Sequence, residues 1–143
     1  MFSSPNQLKR HKYHKIKLRN NKLEQNFFCP KFGDYGLQLL SYTKLTAEHL
    51  EAGRVVLKKL TKKKLFFKIT VFPNSVLTKK SAGSRMGKGK GKPNLWVCPA
   101  KKGRIVYEVS SKRDCISGLK IDKILKSVSK KLPVKSKFVK LLY

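Results

Sequence analysis

The sequence is short of acid. Seven Asp and Glu stand against 35 Lys and Arg in 143 residues, a formal net charge of +28. So few carboxylates, scattered along the chain, offer no clear pair for acid–base catalysis. Cysteine is scarce too. Cys29, Cys98 and Cys115 lie far apart, and their odd number and lack of a CxxC pair argue against a disulfide framework. They are expected to be reduced and at least partly buried. With His11, His14 and His49 they complete no zinc pattern, so neither metal nor cofactor is expected. No Ser or Cys sits in a nucleophile motif, and the chain reads as a non-enzyme. Long apolar runs are also missing. None approaches the ~20 residues that span a bilayer, and no membrane partner is expected.

Hydrophobic residues nevertheless make up 40% of the chain, which is ordinary for a globular protein. The length suits one domain with a real core. The excess of positive charge repels itself and works against a compact state in isolation. A polyanion would relieve it, nucleic acid before an anionic membrane surface.

Residues 1–26 read as a basic arm. Lys9, Arg10, Lys12, Lys15, Lys17, Arg19 and Lys22, with His11 and His14, all precede the first acid, Glu24. Apolar residues there have no period, so no packed structure is expected in the free protein. The arm is acid-free like a transit peptide, but it is poor in Ser beyond its start and lacks Arg-rich amphipathic spacing. It is read as part of the working protein, the basic arm of residues 1–26, ahead of an α+β domain over 27–143.

Within that domain, NFFCPKFGDYGLQLLSY suggests two strand fragments broken by Gly33 and Gly36. Thr46 is a candidate N-cap for a helix with Glu48 and Glu51 in its first turns. Leu50, Gly53, Leu57 and Leu60 fall on one face of it. Gly53 costs such a helix about 1 kcal/mol relative to Ala, which a close packing contact would explain. LFFKITVF reads as a strand ending at Pro73, followed by a long loop over 73–94. LWVCPA and RIVYEVS suggest a hairpin about a turn at 101–103. Ile121, Ile124, Leu125 and Val128 mark a second helix over 117–131, and KFVKLLY a last strand. The order β-β-α-β-loop-β-β-α-β predicts a mixed, largely antiparallel sheet with two helices.

The loop contains GSRMGKGKGK, Gly83 to Lys92. It is not a Walker loop: Gly83 and Gly87 are one residue too close, and Gly89 follows Lys88 where Ser or Thr should be. Nor is it a dinucleotide fingerprint, since G-x-G-x-G precedes no helix. Glycines at 87, 89 and 91 let backbone approach a ligand closely. The lysines and Arg85 meet phosphates, Arg85 with a bidentate fork. The segment reads as a slim positive finger.

These residues carry a resemblance that covers nearly the whole chain. RMGKGKG from Arg85, Trp96–Val97, GRIVYEV from Gly103, FGDYGLQ from Phe32, LTAEHLEAGR from Leu45, Val71–Pro73 and KLPVKSKFV from Lys131 occur in the order of the bacterial and organellar large-subunit ribosomal protein family L-sixteen. Lys12–Lys17 resembles that family's arm. There are departures: Ile16 for a usual Gly, Gly53 for Ala, Thr70 for Arg, Ser81 for Pro and Ser84 for an aliphatic residue.

The resemblance implies an α/β-hammerhead-type fold with an extended basic arm and a long basic loop. It implies a structural constituent of the large ribosomal subunit near the aminoacyl-tRNA site. The implied partners are large-subunit rRNA, aminoacyl-site tRNA and neighbouring large-subunit proteins. Together with the charge pattern it marks Lys9, Arg10, Lys12, His14, Lys15, Lys17, Lys79, Lys80, Lys88, Lys90 and Lys92 as rRNA-binding. It marks Arg85, Met86, Gly87, Lys88 and Gly89 as the tRNA-proximal part of the loop. The arm begins where the family protein begins, so no presequence is expected. The lysine bias points to a mitochondrion, with a plastid or a bacterial cytoplasm as alternatives. A free-standing RNA-binding module or assembly factor is the competing function.

If six or more phosphates are neutralised, affinity for rRNA fragments should fall by about a thousandfold or more between 50 and 200 mM salt. A flat salt titration would contradict that electrostatic reading.

Overall fold

The computed structural model describes residues 29–62, 65–87, 89–111 and 118–141. The elements run β1 (Tyr35–Leu39), β2 (Thr43–Thr46), α1 (Ala47–Thr61), β3 (Leu65–Ile69), β4 (Ser75–Lys79), β5 (Lys92–Ala100), β6 (Ile105–Ser111), α2 (Gly118–Ser129) and β7 (Ser136–Lys140). This is the expected α+β class. In place of one mixed sheet there are two, ordered β3-β6-β1-β7 and β2-β5-β4, and every described pair is antiparallel. The proposed arm and Cys115 lie outside the described residues.

Both helices pack on the four-stranded sheet and on each other. Leu50 and Leu57 of α1 and Ile121, Leu125 and Val128 of α2 enter the core with Leu37, Tyr107 and Val109. Leu45, Cys98 and Ala100 of the smaller sheet join the same cluster. Thr46 caps α1 as expected. Its hydroxyl accepts from the His49 amide, and His49 Nδ1 accepts from the Thr46 amide, each at 3.3 Å. The buried face of α1 is Leu50, Gly53, Leu57 and Thr61. Leu60, expected on that face, is 44% exposed, because the stripe drifts one position by the fourth turn.

The expected hairpin of LWVCPA and RIVYEVS does not form. β5 pairs with β2 and β4, whereas β6 lies between β3 and β1. The end of β1 captures the intervening turn. Gly103 N–H donates to Leu39 O at 2.9 Å, Leu39 N–H to Arg104 O at 2.9 Å, and the buried Gln38 Nε2 to Gly103 O at 2.8 Å. Gly103 has φ +90°, the left-handed region open to glycine. The chain therefore changes sheets here and, close by, between β1 and β2. Two further expectations fail locally. Among the described residues one strand forms before Thr43, since residues 29–34 are irregular and mostly bends. Cys29 is exposed while Cys98 is buried.

Strand β6 is buried on both faces, and its side chains fasten different layers. Tyr107 Oη donates to Leu50 O of α1 at 2.9 Å. Burial, and then the nearby Glu51 charge, pushes this phenol well above its usual range, so it stays protonated as a donor. A Cβ on Gly53 would run into the Tyr107 hydroxyl and lie 2.6 Å from Cζ. That is the close contact expected of this helix glycine. On the opposite face, Glu108 Oε2 accepts from the amides of Lys31 and Phe32 at 3.1 and 2.7 Å. Gly33 rests directly on the backbone of Val109, where a Cβ would come within 2.6 Å of the carbonyl oxygen.

Gly53→Leu should lower the unfolding free energy by about 1–3 kcal/mol, the usual cost of overpacking, although Leu gains helix propensity over Gly. Urea unfolding measures it, and an unchanged midpoint would show that Tyr107 leaves the space at no cost.

Candidate nucleic-acid interface

Strands β4 and β5 form a hairpin whose register runs from Ser75 opposite Val97 to Lys79 opposite Lys92. The loop expected over 73–94 is thus shorter. Ser75–Lys79 is a strand, and β5 begins at Lys92, leaving residues 80–91 as the connection. The sequence hid β4 because it is a short edge strand with only Val76 fully buried. A register shift between Leu77 and Thr78 adds local twist just before the loop.

The loop buries almost nothing. Residues 80–87, 89 and 90 are exposed, and Met86 is 98% exposed at the tip beside Arg85. Its shape comes from backbone. Gly83, Gly87 and Gly89 have φ of +77°, +91° and +83°, with no atom within 4 Å of where a Cβ would stand. Ser84 N–H closes a turn onto Ser81 O at 3.2 Å. Lys80 Nζ folds across to Gly87 O at 2.6 Å. The loop wraps an open concave space of about 640 Å³ rimmed by Lys79, Lys80, Lys90 and Lys92.

At the neck, Lys79 and Lys92 are directly opposed. Like charges in that position destabilise a ladder unless an anion lies near. The segment from Lys79 to Lys92 contains no Asp or Glu to neutralise them. The structure thus brings Lys79, Lys80, Lys90 and Lys92 together about one space, with Arg85 and Met86 presented beyond it. Lys88 lies outside the described residues, as do Lys9, Arg10, Lys12, His14, Lys15 and Lys17.

Gly91 differs from the other loop glycines. A Cβ there would stand 2.5 Å from Lys79 O and 2.8 Å from Lys80 N. It was expected to admit a ligand, but its open side is filled by the protein's own backbone. Thr70, where the family more often has Arg, donates through Oγ1 to Ile105 O at 2.5 Å and continues the β3–β6 contact.

With this loop and fold in view, the comparisons with known proteins are decisive. The family model described as Ribosomal protein L16p/L10e matches residues 5–139. The chain belongs to that family. It is 37% identical over 136 residues to the large ribosomal subunit protein uL16c of Phaeodactylum tricornutum, covering 95% of this chain and 94% of that protein. It is 40% identical over 129 residues to uL16m of Acanthamoeba castellanii, covering 90% and 88%. A third relative, uL16c of Stigeoclonium helveticum, is 37% identical over 137 residues and is covered to 97%. These relatives are organellar proteins of both kinds. Members of the L16p/L10e family are structural components of the ribosome, not enzymes.

Two features at the far edge of the larger sheet carried no sequence signal. Phe32 and Phe66 are 62% and 56% exposed there, and the buried Glu108 lies beside them. Alternation along β3 places Phe66 and Lys68 outward, but nothing local shows that residues 30–33 fold back onto that face.

The neck glycine should separate from the tip glycines on mutation. Gly91→Ala should cost about 1–3 kcal/mol in urea unfolding, because rigid backbone must shift. Gly87→Ala should leave the global midpoint unchanged, its strain staying in a loop that packs on nothing. Equal effects at the two positions would refute this division.

Proposed function

We propose that this large-subunit ribosomal protein binds large-subunit rRNA through its basic surface and extends the Lys79–Lys92 loop to the aminoacyl-site tRNA near the peptidyl-transferase region. The observation that carries the reading is the loop itself. It is acid-free, exposed and shaped by glycines, and it stands on a neck of opposed lysines that an anion would relieve. Lys79, Lys80, Lys90 and Lys92 meet rRNA or tRNA phosphates at the rim. Arg85 forks onto a phosphate or stacks on a base, which a lysine does not do. Met86 packs on a nucleotide face, and Gly87 and Gly89 let backbone approach RNA. Neighbouring large-subunit proteins complete the set of partners. The lysine bias favours a mitochondrial ribosome over a plastid one.

Arg85→Ala tests this in ribosomes from purified mitochondria. The variant protein should keep its melting temperature and enter large subunits. Those subunits should then bind aminoacyl-tRNA about ten- to a hundredfold more weakly, the loss of a charge-assisted contact of roughly 1.5–3 kcal/mol. Normal tRNA binding would make the loop idle, and unfolding of the free protein would make it structural. A free-standing RNA-binding module would not sediment with large subunits through high salt.

A further inference from the structure

We propose that the outer edge of the four-stranded sheet holds a second RNA contact, a pocket for one unpaired nucleobase bearing an amino group. Phe32, Gly33, Phe66, Lys68, Glu108 and Ser110 line a cavity of about 310 Å³ there, on the other sheet from the glycine-rich loop. The proposal rests on the RNA-binding reading above and adds a different kind of contact.

The chemistry of the walls selects a base over a phosphate. Phe32 stands well out of the protein, and the Lys68 ammonium lies 3.2 Å from its ring centroid. The cation fixes one side of the ring and leaves a flat aromatic surface at the cavity mouth. Every base has a face to stack on such a surface. The floor, by contrast, is anionic. Glu108 is 3% exposed, and its Oε2 takes the Lys31 and Phe32 amides. A carboxylate accepts more than two hydrogen bonds, so Glu108 has capacity for an exocyclic amino group, as a carboxylate accepts from cytosine N4. Ser110 Oγ, 3.4 Å from Asp34 Oδ2, adds a second polar group and a second nearby acid. The Lys68 ammonium is turned onto the Phe32 ring, so the polar group at the floor is the Glu108 carboxylate, which favours an amino donor over a phosphate. On a chain of net charge +28, an anionic floor under exposed aromatic rings needs an occupant of that kind.

The pocket also has a rigid base. Gly33 lies against the Val109 backbone, and Glu108 pins the two preceding amides. The Phe32 ring is therefore held on β6, the most buried strand of the sheet.

The test compares the full chain with Phe32→Leu, which keeps bulk and the backbone bonds to Glu108 but removes the ring. Binding of oligocytidylate, oligouridylate and inorganic polyphosphate is measured at raised salt, with melting temperature as the control of fold. The wild type should prefer oligocytidylate to oligouridylate. Phe32→Leu should weaken oligocytidylate binding about five- to a hundredfold and leave polyphosphate binding unchanged. If the variant binds oligocytidylate like the wild type, the base pocket does not exist and the face serves another occupant, such as a protein strand added at β3. An equal loss for polyphosphate also overturns the proposal, because the site would then bind charge. If the wild type binds neither RNA nor polyphosphate, the RNA-binding reading itself fails, and the pocket with it.

Discussion

The structure depends on one strand having to satisfy polar side chains on both of its faces. Residues 105–109 of β6 are all buried, so Tyr107 and Glu108, adjacent and pointing oppositely, each require a partner inside the protein. A buried polar group left alone costs about 1–3 kcal/mol. Tyr107 finds the Leu50 carbonyl, and that bond sets how closely α1 approaches the sheet. It is close enough that a Cβ at position 53 would run into the Tyr107 hydroxyl. Glu108 finds two amides of the segment before β1, and that sets where Phe32 stands. Helix packing on one side and the aromatic edge on the other thus follow from two consecutive residues.

Several of the described acids are spent in the same local manner. Glu108 holds backbone amides, Glu51 makes two contacts with Arg54 at 2.6 and 2.9 Å, and Asp122 pairs with Lys126 at 2.7 Å. The two helix pairs are partly exposed and contribute little to stability. They do keep these carboxylates on helices. The β4–β5 loop is left with cations alone. Positive charge is therefore concentrated on a segment that carries no acid of its own, which is why the proposed RNA contact is placed there.

Much of this was legible in the sequence, for physical reasons that vary by element. The helices announced themselves because Leu50 and Leu57, and Ile121, Leu125 and Val128, repeat at helical spacing, and because Thr46 is a strong cap. The loop announced itself because a segment of Gly, Ser and Lys has no apolar surface to bury. The two-sheet arrangement did not. Adjacent strands usually pair, and the choice of β6 to pair with β1 and β3 is made by Gln38 and Leu39, more than sixty residues from the turn they capture. Strand β4 was hidden by its polarity. Gly91 read like its neighbours, since only the folded hairpin shows which glycine touches backbone. Of the candidate site, Lys79, Lys80, Lys90 and Lys92 rim one space, an arrangement set by the β4–β5 register that the sequence did not display. The Phe32–Glu108 edge was invisible, since its members are separated by most of the domain.

The separation of fold from loop has a mechanical consequence. Among the described residues the sheet pairings lie below Lys79 and Lys92, and Gly91 packs closely on the Lys79–Lys80 backbone just above them. Above that neck the loop's internal contacts are few, the Lys80–Gly87 bond and the Ser81–Ser84 turn among them. Exposed contacts of this kind sit at the low end of local stability. The tip can therefore change conformation without opening any part of the core, and an arriving RNA can exchange the Lys80–Gly87 bond for a phosphate at small cost. The edge pocket is built the opposite way. Its ring is set by a buried carboxylate and a glycine pressed on a strand, so moving it disturbs β6 itself. If both proposed contacts are made, the edge pocket would hold one part of the RNA in a fixed register while the loop stays adjustable toward another.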